Sequence, residues 1–152
     1  DVLCFGGTKN GMAVGDAVIF DRALAEDFSY RCKQAGQLAS KMRYLSAPWV
    51  GMLESGAWLR NAAHGNACAA SLAAQVADLP DIELIFPAEA NAVFLSAPEA
   101  VLAELRARGW RFYTFIGGGA RFMFAWDAMP EVVNDLAADI RAASALAGRR
   151  AA

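Results

Sequence analysis

The chain has 152 residues, 57% hydrophobic and 20% charged, with a formal net charge of −2. That is enough apolar material for a packed core, which excludes a disordered chain. The net negative charge argues against a nucleic-acid-binding protein, which is usually basic with clustered Lys and Arg. The cysteines Cys4, Cys32 and Cys68 are odd in number and widely spaced, with no CxxC pair. Neither a disulfide framework nor a cysteine-based zinc site is expected, and a cytoplasmic, reducing environment fits. There is no signal-peptide pattern and no apolar run of the roughly 18 residues a membrane helix needs.

The chain opens at Asp1, without methionine, directly on an apolar strand pattern at Val2–Phe5. This reads as the C-terminal part of a longer protein. A second strand is predicted at Ala13–Phe20, joined to the first through a turn at Asn10-Gly11. Asp21 reads as the N-cap of a helix reaching Asp27 or Tyr30. Gln34–Met52 is compatible with helix, broken or kinked at Pro48, and Gly56 interrupts again. A long helix is predicted from Ala57 to Val76, with Trp58, Leu59, Ala62, Ala69, Leu72 and Val76 as core contacts.

Character changes at Asp78-Leu79-Pro80-Asp81, so a domain boundary is expected near residue 77, giving parts 1–77 and 78–152. Beyond it the pattern predicts strands at Ile82–Phe86 and Ala92–Ser96, then a helix at Pro98–Arg108 ended by Gly109. Strands follow at Trp110–Phe115 and Ala120–Trp126, separated by a Gly117–Gly119 loop. A last helix runs over Pro130–Leu146, with proline in its first turn. This order describes a small α+β domain.

The segment Phe5-Gly6-Gly7-Thr8-Lys9-Asn10-Gly11 carries the chemistry. Its glycines permit a sharp turn and the close approach of another molecule. A phosphate-binding P-loop needs Gly directly before the Lys and Ser or Thr directly after it; here Thr8 precedes and Asn10 follows. A lysine amine held at a strand end, with its proton affinity lowered by its surroundings, can attack a carbonyl and form a Schiff base; a partly exposed lysine in a glycine turn is the alternative. Arg121 is suited to a carboxylate through paired, charge-assisted hydrogen bonds; the alternative is a strand-edge arginine in solvent. Arg43 lies with Arg31, Lys33 and Lys41 in a stretch, Phe28 to Leu53, that contains no acid. Such positive charge suits a phosphate, or forms a solvated helix face, the reading preferred for Lys33 and Lys41. His64 sits in an alanine-rich helix and reads as a core or interface residue. The tryptophans read as core or interface anchors.

The heptapeptide resembles the cofactor-lysine motif of bacterial low-specificity L-threonine aldolases, which are pyridoxal-phosphate (PLP) enzymes of the aspartate-aminotransferase fold type. The similarity continues through Leu24–Phe28, Gln34–Leu38, Ser40–Tyr44, Trp58–Ala62 and Arg121–Asp127, and so covers essentially the whole chain. Cys4 stands where relatives often carry serine.

The resemblance implies an α/β architecture: the end of a large PLP-binding domain (1–77) and a small α+β domain (78–152). It implies that Lys9 forms the Schiff base with PLP and that Thr8 and Arg43 contribute to the cofactor site, Arg43 reaching phosphate or carboxylate across a subunit interface. Arg121 would grip the substrate α-carboxylate. The implied activity is a carbon–carbon lyase that cleaves threonine, allo-threonine and related β-hydroxy-α-amino acids to glycine and an aldehyde. The implied assembly is a homodimer or homotetramer, with no nucleic-acid or membrane partner and no metal site. The acid facing the pyridine nitrogen, the histidine stacked on the ring and most phosphate contacts are expected upstream of this chain. A related lyase for a bulkier substrate such as phenylserine, and a non-catalytic α+β oligomerisation module, are the alternatives.

Overall fold

The protein is described from a computed structural model, which covers residues 1–115 and 119–151. Gly117 and Gly118 of the expected glycine loop lie outside the described residues. By compactness the chain divides into two units, Asp1–Asn61 and Ala62–Ala152.

In the first unit, β1 (Val2–Gly6) pairs antiparallel with β2 (Asp16–Phe20), with Cys4 opposite Val18. The expected pairing is present, but β2 starts three residues later than expected, and the link from Gly7 to Gly15 is a structured loop instead of a tight hairpin turn. Val2, Leu3, Val18 and Ile19 are exposed. Apolar residues on both faces of a strand are the composition of a sheet covered on both sides.

The helices of this unit differ from expectation. Asp21 does cap, accepting a hydrogen bond from the Ala23 amide at 2.9 Å. It starts only a single 3-10 turn, Arg22–Leu24, and α1 (Phe28–Gln34) begins afresh after Asp27. Gly36, at φ +70°, then breaks the expected long segment. Helix α2 (Arg43–Glu54) runs through Pro48 without interruption. Proline there costs the bond to the Tyr44 carbonyl, and the rest of the helix continues. Helix α3 (Ala57–Val76) has the expected bounds. Its core contacts are Ala69, Leu72 and Val76, whereas Leu59 and Ala62 are exposed and Trp58 is half-buried.

The second unit holds an antiparallel sheet of four strands in the order β3-β4-β6-β5: β3 (Glu83–Leu84), β4 (Ala92–Ser96), β5 (Tyr113–Thr114) and β6 (Gly119–Met123). Helix α4 (Glu99–Ala107) and helix α5 (Pro130–Ala151) complete it. Alternation sorts the strands: Val93, Leu95, Ala120 and Phe122 face the core, where Leu72, Leu105 and Ile140 are fully buried. Truncating any of these last three to alanine would cost on the order of 2–5 kcal/mol. Gly109, at φ +96°, ends α4 as expected. Strands β3 and β5 are shorter than the sequence pattern suggests, because each lies at a sheet edge and pairs with only one neighbour.

A polar clasp joins the end of α4 to α5. The Asp139 carboxylate accepts hydrogen bonds from the Trp110 indole at 2.7 Å and from the Arg108 guanidinium at 2.6 Å. The indole donor first, then Arg108, holds the Asp139 carboxyl below the usual carboxylate range. A depressed folded-state pKa gives stability that is present above the unfolded value, about 3.9, and is lost as pH falls through the folded value. Asp139→Asn is therefore expected to lower the unfolding midpoint near pH 6, with the difference shrinking below about pH 4. Urea titrations of both proteins across that range provide the check; a difference independent of pH would exclude the clasp as its source.

Candidate functional site

The turn that carries Lys9 is the most tightly packed place in the first unit. Among residues 1–61 only Gly7, Asn10 and Met12 are buried, and all of them belong to it. The Gly7 carbonyl accepts from the amides of Asn10 at 2.9 Å and Met12 at 3.0 Å, while the Gly7 amide donates to the Gly15 carbonyl at 3.2 Å. A Cβ at Gly7 would stand 2.8 Å from the Met12 Cβ and 2.9 Å from the Gly15 carbonyl oxygen. Only glycine fits there. Thr8–Asn10 forms one 3-10 turn, closed by Gly11 at φ +98°.

Within this frame Asn10 points inward and Lys9 outward. The Asn10 carbonyl accepts from Asn61 Nδ2 at 2.8 Å. The Asn10 Oδ1 is buried without a hydrogen-bond partner among the described residues. Behind the strand, Phe5 meets Trp49 and Trp58 edge-on, with ring centroids 5.3 and 5.6 Å away. Thr8 and Lys9 are exposed, and among the described residues no acid forms an ion pair with Lys9. The Lys9 amine is therefore accessible from solvent on a short, hydrogen-bonded turn.

Arg43 is the first residue of α2 and is exposed, following Lys41 at φ +61°. The remaining predicted residue, Arg121, lies in the other unit, on β6, directly between Phe94 of β4 and Tyr113 of β5. It is half-buried. Its guanidinium carbon lies 5.5 Å from the Tyr113 ring centroid and 5.4 Å from that of Phe115. Its Nε is buried with no hydrogen-bond partner among the described residues. No acid among the described residues pairs with it either. The structure thus places Thr8 and Lys9 on one turn, Arg43 at a helix start and Arg121 on a sheet of the second unit.

His64 has a local structural function. It is half-buried, with Nε2 2.6 Å from the Ala128 carbonyl oxygen and 3.8 Å from Cys68 Sγ. A carbonyl only accepts, so Nε2 carries the proton and is not a free base. Burial pushes the Cys68 thiol up, which makes it a poor nucleophile. Next to His64, a Cβ at Gly65 would lie 3.2 Å from the Phe124 carbonyl oxygen, and Asn91 Nδ2 donates to the same oxygen at 2.7 Å. These contacts fix the chain just beyond Arg121. Among the described residues no three His, Cys, Asp or Glu side chains converge as a metal site, and no helix is long and apolar enough to cross a membrane.

Sequence reasoning missed Asn10, Tyr113 and Phe115. The first is an ordinary turn residue by type. The other two acquire meaning only through the register that sets Tyr113 opposite Arg121.

No family model matches the chain. In sequence it is 70% identical over 144 residues to a low specificity L-threonine aldolase of a Pseudomonas species (strain NCIMB 10558), covering 93% of this chain and 42% of that protein. It is 68% identical over 143 residues to the protein of the same name from Pseudomonas aeruginosa, covering 93% of this chain and 41% of the relative. The chain therefore spans about two fifths of the length of the curated relatives it matches. Its fold matches a solved threonine aldolase from Leishmania major with a TM-score of 0.81 at 24% identity, over 95% of this chain and 43% of that one. The resemblance to low-specificity L-threonine aldolases and the mixed α/β fold are both borne out.

The packing around Lys9 can be tested directly. Gly7→Ala is expected to weaken the turn by about 1–3 kcal/mol through overpacking. Hydrogen exchange at the Asn10 and Met12 amides should then accelerate by roughly tenfold or more. Unchanged exchange at both amides would mean that the turn does not depend on Gly7.

Proposed function

We propose that this chain is the C-terminal part of a PLP-dependent aldolase, cytoplasmic and homo-oligomeric, that cleaves threonine and related β-hydroxy-α-amino acids to glycine and an aldehyde. The observation that carries the reading is Lys9: an exposed amine, without an acidic partner among the described residues, on a turn whose backbone leaves room only for glycine at position 7. The near-70% identity to proteins named low specificity L-threonine aldolase supports it. In the proposed division, residues 1–77 end the large cofactor-binding domain and residues 78–152 form the small domain.

The residues present fit the cofactor. Lys9 is the covalent anchor for its aldehyde, with Thr8 beside it on the same turn. Arg43 offers a cation in the first turn of α2, suited to an anion such as phosphate. When bound, PLP acts as an electron sink for the carbon–carbon cleavage. Arg121 binds the substrate carboxylate and so limits the orientations the amino acid can take.

A chimera in which this chain replaces the matching 144 residues of the 70%-identical relative tests the proposal. It is expected to release acetaldehyde from threonine, and Lys9→Ala in the chimera should lower kcat by roughly a thousandfold or more. Comparing threonine with phenylserine establishes the substrate preference. A folded chimera without lyase activity, or one indifferent to Lys9→Ala, contradicts the proposal.

A further inference from the structure

An arginine that binds a carboxylate must meet competing requirements. Its planar guanidinium must be held in one orientation, yet its N–H donors must remain free for the ligand. Acidic or carbonyl neighbours would orient it by consuming those donors. Aromatic faces orient it without doing so, because the ring quadrupole attracts the cation over its face.

The second unit has this second arrangement. Tyr113 and Phe115 stand two residues apart, and both rings lie within cation–π distance of the Arg121 guanidinium, at 5.5 and 5.4 Å. Phe115 is itself backed by Phe94, with centroids 6.1 Å apart, and Phe94 by Phe86 at 5.7 Å. The row Phe86–Phe94–Phe115 thus supports the ring that meets the arginine. Phe94 and Tyr113 are the cross-strand neighbours of Arg121 on either side, so the register of β6 brings the aromatic side chains to it. No acid among the described residues pairs with Arg121.

We infer that Tyr113 and Phe115 are positioning residues: they hold the Arg121 guanidinium in the orientation in which it receives the substrate carboxylate while leaving its donors free. The inference rests on the reading of Arg121 as the carboxylate-binding residue. It assigns the effect to the ring of Tyr113 and none of it to the hydroxyl.

Glycine is the appropriate probe, since it carries the carboxylate of every β-hydroxy-α-amino acid without a side chain. In the cofactor-loaded chimera, Tyr113→Leu and Phe115→Leu are each expected to weaken glycine binding, measured by calorimetry, by about fivefold, within the range of a single cation–π contact. KM for threonine should rise in parallel, with kcat within about twofold, because contacts equal in the ground and transition states affect KM alone. Tyr113→Phe should bind glycine as the parent does. Tyr113 is 71% exposed, so its substitution leaves the core intact; if Phe115→Leu does not fold, Tyr113→Leu decides. Arg121→Ala separates the levels. If it weakens glycine binding but the leucine variants do not, the positioning role is overturned and the carboxylate role stands. If Arg121→Ala also leaves glycine binding unchanged, both are overturned. A lowered thermal midpoint with unchanged glycine affinity likewise overturns the inference, since it indicates a purely structural role.

Discussion

No side chain fits at Gly7, and the turn that carries Lys9 depends on that exclusion. A Cβ there would meet Met12 and the Gly15 carbonyl at under 3 Å. Because the backbone can come that close, the Gly7 carbonyl collects two amides, Met12 and Asn10 turn inward, and Lys9 is left on the outside of a short, fixed 3-10 turn. A lysine on an ordinary loop would sample many orientations and lose much rotamer freedom on reacting. One mounted on a closed turn starts with its backbone already fixed. The edge-on packing of Phe5 against Trp49 and Trp58 holds the strand that leads into the turn.

The second unit solves a different problem. Its core is a conventional two-layer arrangement, with Leu72, Val93, Leu95, Leu105 and Ile140 sealed between sheet and helices. The central strand β6 presents one cation, Arg121, on the opposite face, among rings. The contacts of His64, Gly65 and Asn91 with the segment Phe124–Ala128 fix the exit of that strand. The apolar core and Arg121 therefore use opposite faces of the same sheet, so the arginine is free of acidic partners among the described residues without weakening the core.

Much of this was legible in the sequence, for identifiable reasons. Strand Ala92–Ser96 and helix Ala57–Val76 have the expected bounds, because strong alternation or periodicity coincides with clear breaks on both sides. Gly109 and Pro130 marked helix ends through backbone restrictions that hold in any context. The misses arose where a neighbour decides. Strands β3 and β5 are cut short because pairing partners, and not propensity, set the length of an edge strand. Pro48 reads as a break or kink because its lost hydrogen bond is visible in sequence, while the continuing turns that rule out a break are not. The turn that carries Lys9 was legible because glycine spacing is local. The rings around Arg121 were not, because they converge through strand register.

The most direct test of Lys9 as the cofactor anchor is chemical trapping. The chimera is incubated with pyridoxal phosphate, reduced with borohydride and digested, and the labelled peptide is identified by mass spectrometry. The pyridoxyl group is expected on Lys9 and not on Lys33 or Lys41, which lie outside the turn. Label on either of those lysines with Lys9 unmodified, in a folded protein that binds the cofactor, would contradict the assignment.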